Sequence, residues 1–198
     1  MKSVDACVVI RSVQFGIEEE LRNEFELSVC SRVSQELRGI NSSKIQDNLE
    51  YIKEMSSDLE TPDSPNETID KIQDFLNSIS IDSISSAKKE DLEKVGYFEI
   101  SSLDEGETHM LANSTIKRKD IITDDFEAYE ISSKVSENKV ECLIECIAFK
   151  LGLEGKVKKE SIEILDKKFS NYDELSPSRS SEIIETVEVF DGPAISKP

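Results

Sequence analysis

Apolar residues recur at Ile17, Leu21, Phe25, Val29, Val33 and Leu37, an unbroken series of four-residue steps that predicts one long amphipathic helix. At 100° per residue each step advances the stripe about 40°, so the apolar surface winds about 200° around the helix. A single straight partner cannot cover such a surface, and the helix is expected to cross its neighbours obliquely or to sit between two of them. Glu18, Glu19 and Glu20 open it, where carboxylates favour the helix dipole, and Gly39 follows its end.

Ahead of this stripe, Val4 to Val13 is rich in β-branched residues and reads as a short N-terminal strand. Behind it, Ser43 and Gln46 form a capping-box pattern before Ile45, Leu49, Ile52, Met55 and Leu59, a second helix. The prolines of Thr61-Pro62-Asp63-Ser64-Pro65 break it. Ser64-Pro65-Asn66-Glu67 then supplies an N-cap, a proline at the first helical position and an early glutamate for a third helix through Ile69, Ile72, Phe75, Leu76 and Ile79.

Periodicity weakens between Ile81 and Ile122. Tyr97 to Ile100 alternates like a strand, Leu103 to Asn113 reads as turn and loop, and Ser114 to Ile116 reads as a second strand. Helical spacing returns in Phe126–Val135, behind the acidic pair Asp124-Asp125, and again from Val135 to Leu151, through Ile162 to Phe169, and at Ile183 to Val187. The pattern as a whole predicts a mainly α protein. Its form is a helical bundle with a minor β element: the short N-terminal strand and a small hairpin near residues 97–116.

Charge divides the chain in a similar way. Residues 1–116 hold 11 basic and 24 acidic side chains, a net of -13, and residues 117–198 hold 13 and 18, a net of -5. A boundary near residue 116 is therefore expected between an acidic domain (1–116) and a second helical region (117–190), with 191–198 as an extended tail.

The total of -18, from 24 Lys and Arg against 42 Asp and Glu, disfavours direct nucleic-acid binding, which relies on Lys and Arg to displace counterions. It equally disfavours anionic membranes. With no long apolar run and no signal-peptide core, the expected location is soluble and cytoplasmic. The four cysteines then read as reduced thiols. Cys142 and Cys146 share a helix face, but a closed zinc site needs two further ligands, and His109, Cys7 and Cys30 are scattered; a core role is expected and no metal site. No glycine-rich phosphate loop is present, so no nucleotide cofactor and no small-molecule substrate is evident. His109, the single imidazole, is expected on a surface loop. Lys156, Lys158, Lys159, Lys167 and Lys168 alternate with Glu154, Glu160, Glu163 and Asp166, as on a solvated, salt-bridged helix.

These features point to a non-catalytic interaction or assembly subunit whose partner is another protein or a second copy of itself. Phe25, Val29 and Val33 of the winding stripe are the expected contact residues. The alternative is an acidic nucleic-acid mimic that inhibits a DNA- or RNA-processing protein, and an enzyme of unknown class comes third.

Overall fold

Lys2–Val4 (β1) is the middle strand of a five-stranded, wholly parallel sheet. A computed structural model describes residues 1–14, 16–43, 45, 62–82, 103–135 and 137–141, all within the first of two compact units, Met1–Leu143 and Ile144–Pro198.

The apolar run at the N-terminus is only briefly a strand. Asp5 ends it, because one carboxylate oxygen accepts the Val8 amide at 2.7 Å and so caps the helix Ala6–Gln14 (α1). That helix buries Val8, Val9 and Val13. Helix Glu18–Glu24 (α2) follows and stops at Phe25, whose backbone is extended. Leu27–Cys30 (β2) is a fully buried strand, and Ser31–Arg38 (α3) starts directly after it, with the Cys30 sulfur accepting the Val33 amide at 3.5 Å. The single helix expected over 17–37 is therefore helix, strand and helix.

Helix Pro65–Ser78 (α4) forms as its cap foretold: the Ser64 hydroxyl accepts the Glu67 amide at 3.2 Å and Pro65 takes the first helical position. Strand Ser80–Asp82 (β3) comes next. Glu105–Lys117 (α5) is a helix, opened by a full capping box in which Asp104 accepts the Glu107 amide and Glu107 accepts the Asp104 amide. Asp120–Ile122 (β4), Phe126–Val135 (α6) and Val140–Glu141 (β5) complete the described elements.

The sheet order is β3-β2-β1-β4-β5. From β1 the chain moves outward through β2 to β3, then returns to the other side of β1 for β4 and β5. Lys2 pairs with both Leu27 and Asp120, and Ser28 pairs with Ser80. This is the doubly wound parallel order. Helical content with a minor sheet holds, but a bundle does not: the helices are connections between parallel strands, as parallel pairing demands. The expected hairpin is corrected in the same way. Ser114 to Ile116 and all of the supposed loop from Glu105 onward lie in α5, while residues 97–100 lie outside the described residues. The boundary placed near residue 116 falls inside α5, and β4 beyond it pairs with β1.

The core gathers Val4, Val9, Leu21, Val29, Val33, Leu37, Ile72, Leu76, Leu111 and Ile121. Helix α5 packs on β1, β2, β4 and α3, while α1 packs on α4. Most of the helix read at 43–59, Cys142 and Cys146, the lysine-bearing stretch 156–168 and the tail lie outside the described residues. Among the described residues no helix is long and apolar enough to cross a membrane.

Candidate functional site at the carboxyl edge of the sheet

In a doubly wound sheet the crevice at the carboxyl ends of the strands, where the strand order reverses, is where ligands bind. Here that point lies between β1 and β4. The residues that leave those strands are Asp5 and the run Thr123-Asp124-Asp125.

Asp5 is 2% exposed. With one oxygen on the Val8 amide, its other oxygen accepts the Thr123 hydroxyl. Thr123 in turn accepts the Asp125 amide at 3.2 Å, and Asp125 caps α6 by accepting the Ala128 amide at 2.8 Å. A hydroxyl thus ties the end of β1 to the turn after β4. Asp124 is also buried. Its carboxylate lies 3.4 Å from the Arg11 guanidinium, which donates to the Asp124 carbonyl at 3.3 Å as well.

Two further elements bring carboxylates to this edge. The capping box at the start of α5 holds Glu107, whose charge interacts with Asp125, Asp104 and Asp5. Glu36 of α3 reaches the same turn of α5: a Cβ on Gly106 would stand 2.6 Å from its Oε2. Arg32 donates to Glu36 at 3.2 Å and meets Glu105 at 3.0 Å. The Cys30 thiol, at the end of β2, donates to the Gly106 carbonyl at 3.9 Å.

The electrostatics follow from this crowding. Burial pushes the Asp5 carboxyl up to about 7, Asp124 adds to the rise, and the Thr123 hydroxyl, the Val8 amide and Arg11 oppose it. Burial and then the charges of Asp125, Asp104 and Asp5 push Glu107 up to about 8. Burial, helped by Asp104 and Glu105, also raises Glu36. Cys7, beside Asp5, Asp124 and Asp125, is raised far out of the reactive range, first by burial and then by those carboxylates, so its thiol is no nucleophile.

Asp5, Glu107 and Asp124 are the groups with which the edge can meet a cation or a proton. Among the described residues no three His, Cys, Asp or Glu side chains converge closely enough to hold a metal ion unaided. The turn after β1 reads Val4-Asp5-Ala6 and has an aspartate where dinucleotide-binding sheets carry glycines.

The residues expected from the sequence sit elsewhere. Val29 and Val33 are 0% and 1% exposed, in the protein's own core. Phe25 is half-buried, with the Lys2 ammonium 4.0 Å above its ring. The three do not form an exposed face. His109 belongs to α5 and is half-buried rather than on a loop.

Sequence reasoning missed the carboxylates of the edge because they lie in four separate stretches of an acidic chain. Two local signals existed: the aspartate closing the first β-branched run, and the Asp104-x-x-Glu107 capping box. No protein-family description matches the chain, and no curated protein resembles it.

Proposed function

We propose that the protein is a divalent-cation-dependent hydrolase of phosphodiesters, working at the carboxyl edge of the sheet. The observation that carries this reading is the buried Asp5 at the switch point, tied to Thr123 beside the buried Asp124, with Glu107 of α5 near enough to feel the Asp5 charge; burial first, and neighbouring carboxylates after it, hold Asp5 near 7 and Glu107 near 8. Carboxyls shifted by burial together with specific charged neighbours are candidates for a functional site.

Capping accounts for one oxygen of Asp5 and one of Asp125. Glu107 closes the capping box of α5 and Asp124 faces Arg11, which accounts for each group singly but not for their gathering at one edge. A divalent cation gives a reason for that gathering, since it would replace the protons that burial favours on Asp5 and Glu107. Magnesium and manganese are commonly held by one or two carboxylates, with water and substrate phosphate oxygens completing the shell. Such a site has no need of three converging protein ligands. When bound, the cation would polarise the phosphoryl oxygen and make a bound water nucleophilic at neutral pH.

The chain's own groups have distinct parts. Thr123 fixes the Asp5 carboxylate through its hydroxyl, Asp5 and Asp124 would hold the cation, and Glu107 is the carboxyl that would take a proton from the attacking water. Glu36 stands at the rim beside Gly106. The net charge of -18, which argues against binding nucleic acid through Lys and Arg, does not forbid a strand whose phosphate is bridged by the cation.

The test is hydrolysis of fluorescent single-stranded RNA and DNA and of nitrophenyl phosphate mono- and diesters, with Mg²⁺ or Mn²⁺ and with a chelator. Chelator-sensitive cleavage of a diester by the wild type, lost in Asp5→Asn, supports the reading. Equal turnover by both proteins, or none on any ester, overturns it.

A further inference from the structure

Strand β3 closes one side of the sheet: among the described residues it pairs with β2 and with no strand beyond. It is also the least covered of the described strands, with Ser80 and Ile81 both exposed. Proteins commonly guard such an edge with an outward lysine or a proline. Here an isoleucine, 44% exposed, stands in the middle of it.

The two faces of this edge differ in chemistry. Asp82 is turned toward α5, where Asn113 and Lys117 donate to it at 2.9 and 2.7 Å and Lys119 donates to it as well. Successive side chains of a strand point to opposite faces, so Ile81 stands on the other one. Two lysines on one carboxylate leave the α5 face with an excess of positive charge, and the exposed Arg118 at the end of α5 adds to it. Lys117-Arg118-Lys119 is the only run of three basic residues in a chain whose net charge is -18.

We propose that the β3 edge is a docking site for an extended peptide of alternating acidic and apolar residues, which joins the sheet as a further strand. Main-chain pairing along an open edge supplies affinity, and pockets for alternate side chains supply specificity. The side chains of the incoming strand alternate as those of β3 do. Its apolar residues therefore meet Ile81 while its carboxylates meet Lys117 and Arg118. A strand of phosphates would use the cations but leave Ile81 and the outward main chain of β3 without partners. A second copy of the same edge would set like charges against each other. None of these residues belongs to the carboxyl-edge site, and the docking role is independent of the reading given for it.

The experiment is fluorescence anisotropy of a labelled octapeptide that alternates valine and glutamate, titrated with the full chain. The comparison probes are four valines followed by four glutamates, an alternating valine–lysine octapeptide, and a single-stranded oligonucleotide of similar length. Ile81→Lys places a charge on the apolar face and guards the edge. Arg118→Asn removes a charge at a position whose φ is 52°, a left-handed backbone that asparagine accepts. Arg22→Asn, on α2 beside the exposed Glu19, removes an equal charge elsewhere.

The wild type should bind the alternating acidic peptide in preference to the other three probes. Affinity should fall about fivefold in Ile81→Lys and about threefold in Arg118→Asn, and stay unchanged in Arg22→Asn. No binding by the wild type, equal binding of the block or lysine peptide, or an unchanged affinity in either folded variant would overturn the proposal. An oligonucleotide bound in place of the peptide, and weakened by Arg118→Asn, would overturn it too and give the edge to nucleic acid. Should Ile81→Lys fail to fold, Arg118→Asn decides alone.

Discussion

The carboxylate of Glu36 rests against Gly106, so closely that a Cβ there would stand 2.6 Å from Oε2 and 3.0 Å from Oε1. Only the flexible end of a side chain has to move to make room. Gly106→Ala should therefore leave stability nearly unchanged or raise it by up to about 1 kcal/mol, since alanine is the better helix former. It should nevertheless displace Glu36 from the rim and lower phosphodiester turnover by about tenfold. Urea denaturation and a turnover assay on the same variant separate the two effects, and a fall in both together would speak against them.

Stability should decline as the pH rises. Asp5 goes from an ordinary value of 3.8 to about 7 on folding, and Glu107 from 4.5 to about 8. The folded state therefore binds more protons than the unfolded one between about pH 4 and 8. The stabilisation is complete below pH 4 and is lost as the pH passes through 7 and 8. Asp82 and Glu141 are shifted down, despite partial burial, by their lysine partners; their contribution is lost at the acid end instead. Urea midpoints at pH 5, 6.5 and 8 should fall in that order, and Mn²⁺ should restore the value at pH 8.

Asp5→Asn removes the ionisable group but keeps an acceptor for the Val8 amide. The slope of stability with pH should flatten, and at pH 8 the variant should be more stable than the wild type, by about 1–3 kcal/mol after the altered bond to Thr123 is counted. A variant less stable than the wild type at pH 8 would place the strain elsewhere.

Lys119 is 8% exposed at the side chain and donates to Asp82 and, at 2.9 Å, to Ser28. Lys117 and Asn113 also reach Asp82, at 2.7 and 2.9 Å. The cluster ties β2 and β3 to the end of α5. Asp82→Ala strands a buried ammonium and should cost about 3 kcal/mol. A thermal melt within 2 °C of the wild type would contradict this.

Val29→Asp should unfold the domain, not alter its oligomeric state. Val29 is 0% exposed in β2, and an unpaired carboxylate there costs more than about 4 kcal/mol. A folded Val29→Asp protein, seen by circular dichroism, would require a different core.

What the sequence disclosed and what it concealed both have physical causes. Helix α4 was legible because Ser64, Pro65 and Glu67 make a local cap that needs no tertiary partner, and α6 because an acidic pair precedes its apolar face. The stripe from Ile17 to Leu37 misled because a four-residue step is also twice the strand period, so Val29 keeps its phase in a strand that is buried on both faces. Helix α5 was hidden because it is buried on several sides, and its Gly106, Thr108, Asn113 and Ser114 blur the apolar period. The site was concealed most of all, since only the strand order brings Asp5 and Asp124 together and sets Glu107 near them.

The most direct test of the account is the anomalous scattering of crystals soaked in Mn²⁺ at pH 8. A manganese peak is expected within coordination distance of Asp5 and Asp124, on the side facing Glu107, and is expected to be absent in Asp5→Asn. A fully occupied peak elsewhere, or none at the carboxyl edge with the crystal saturated, would contradict it.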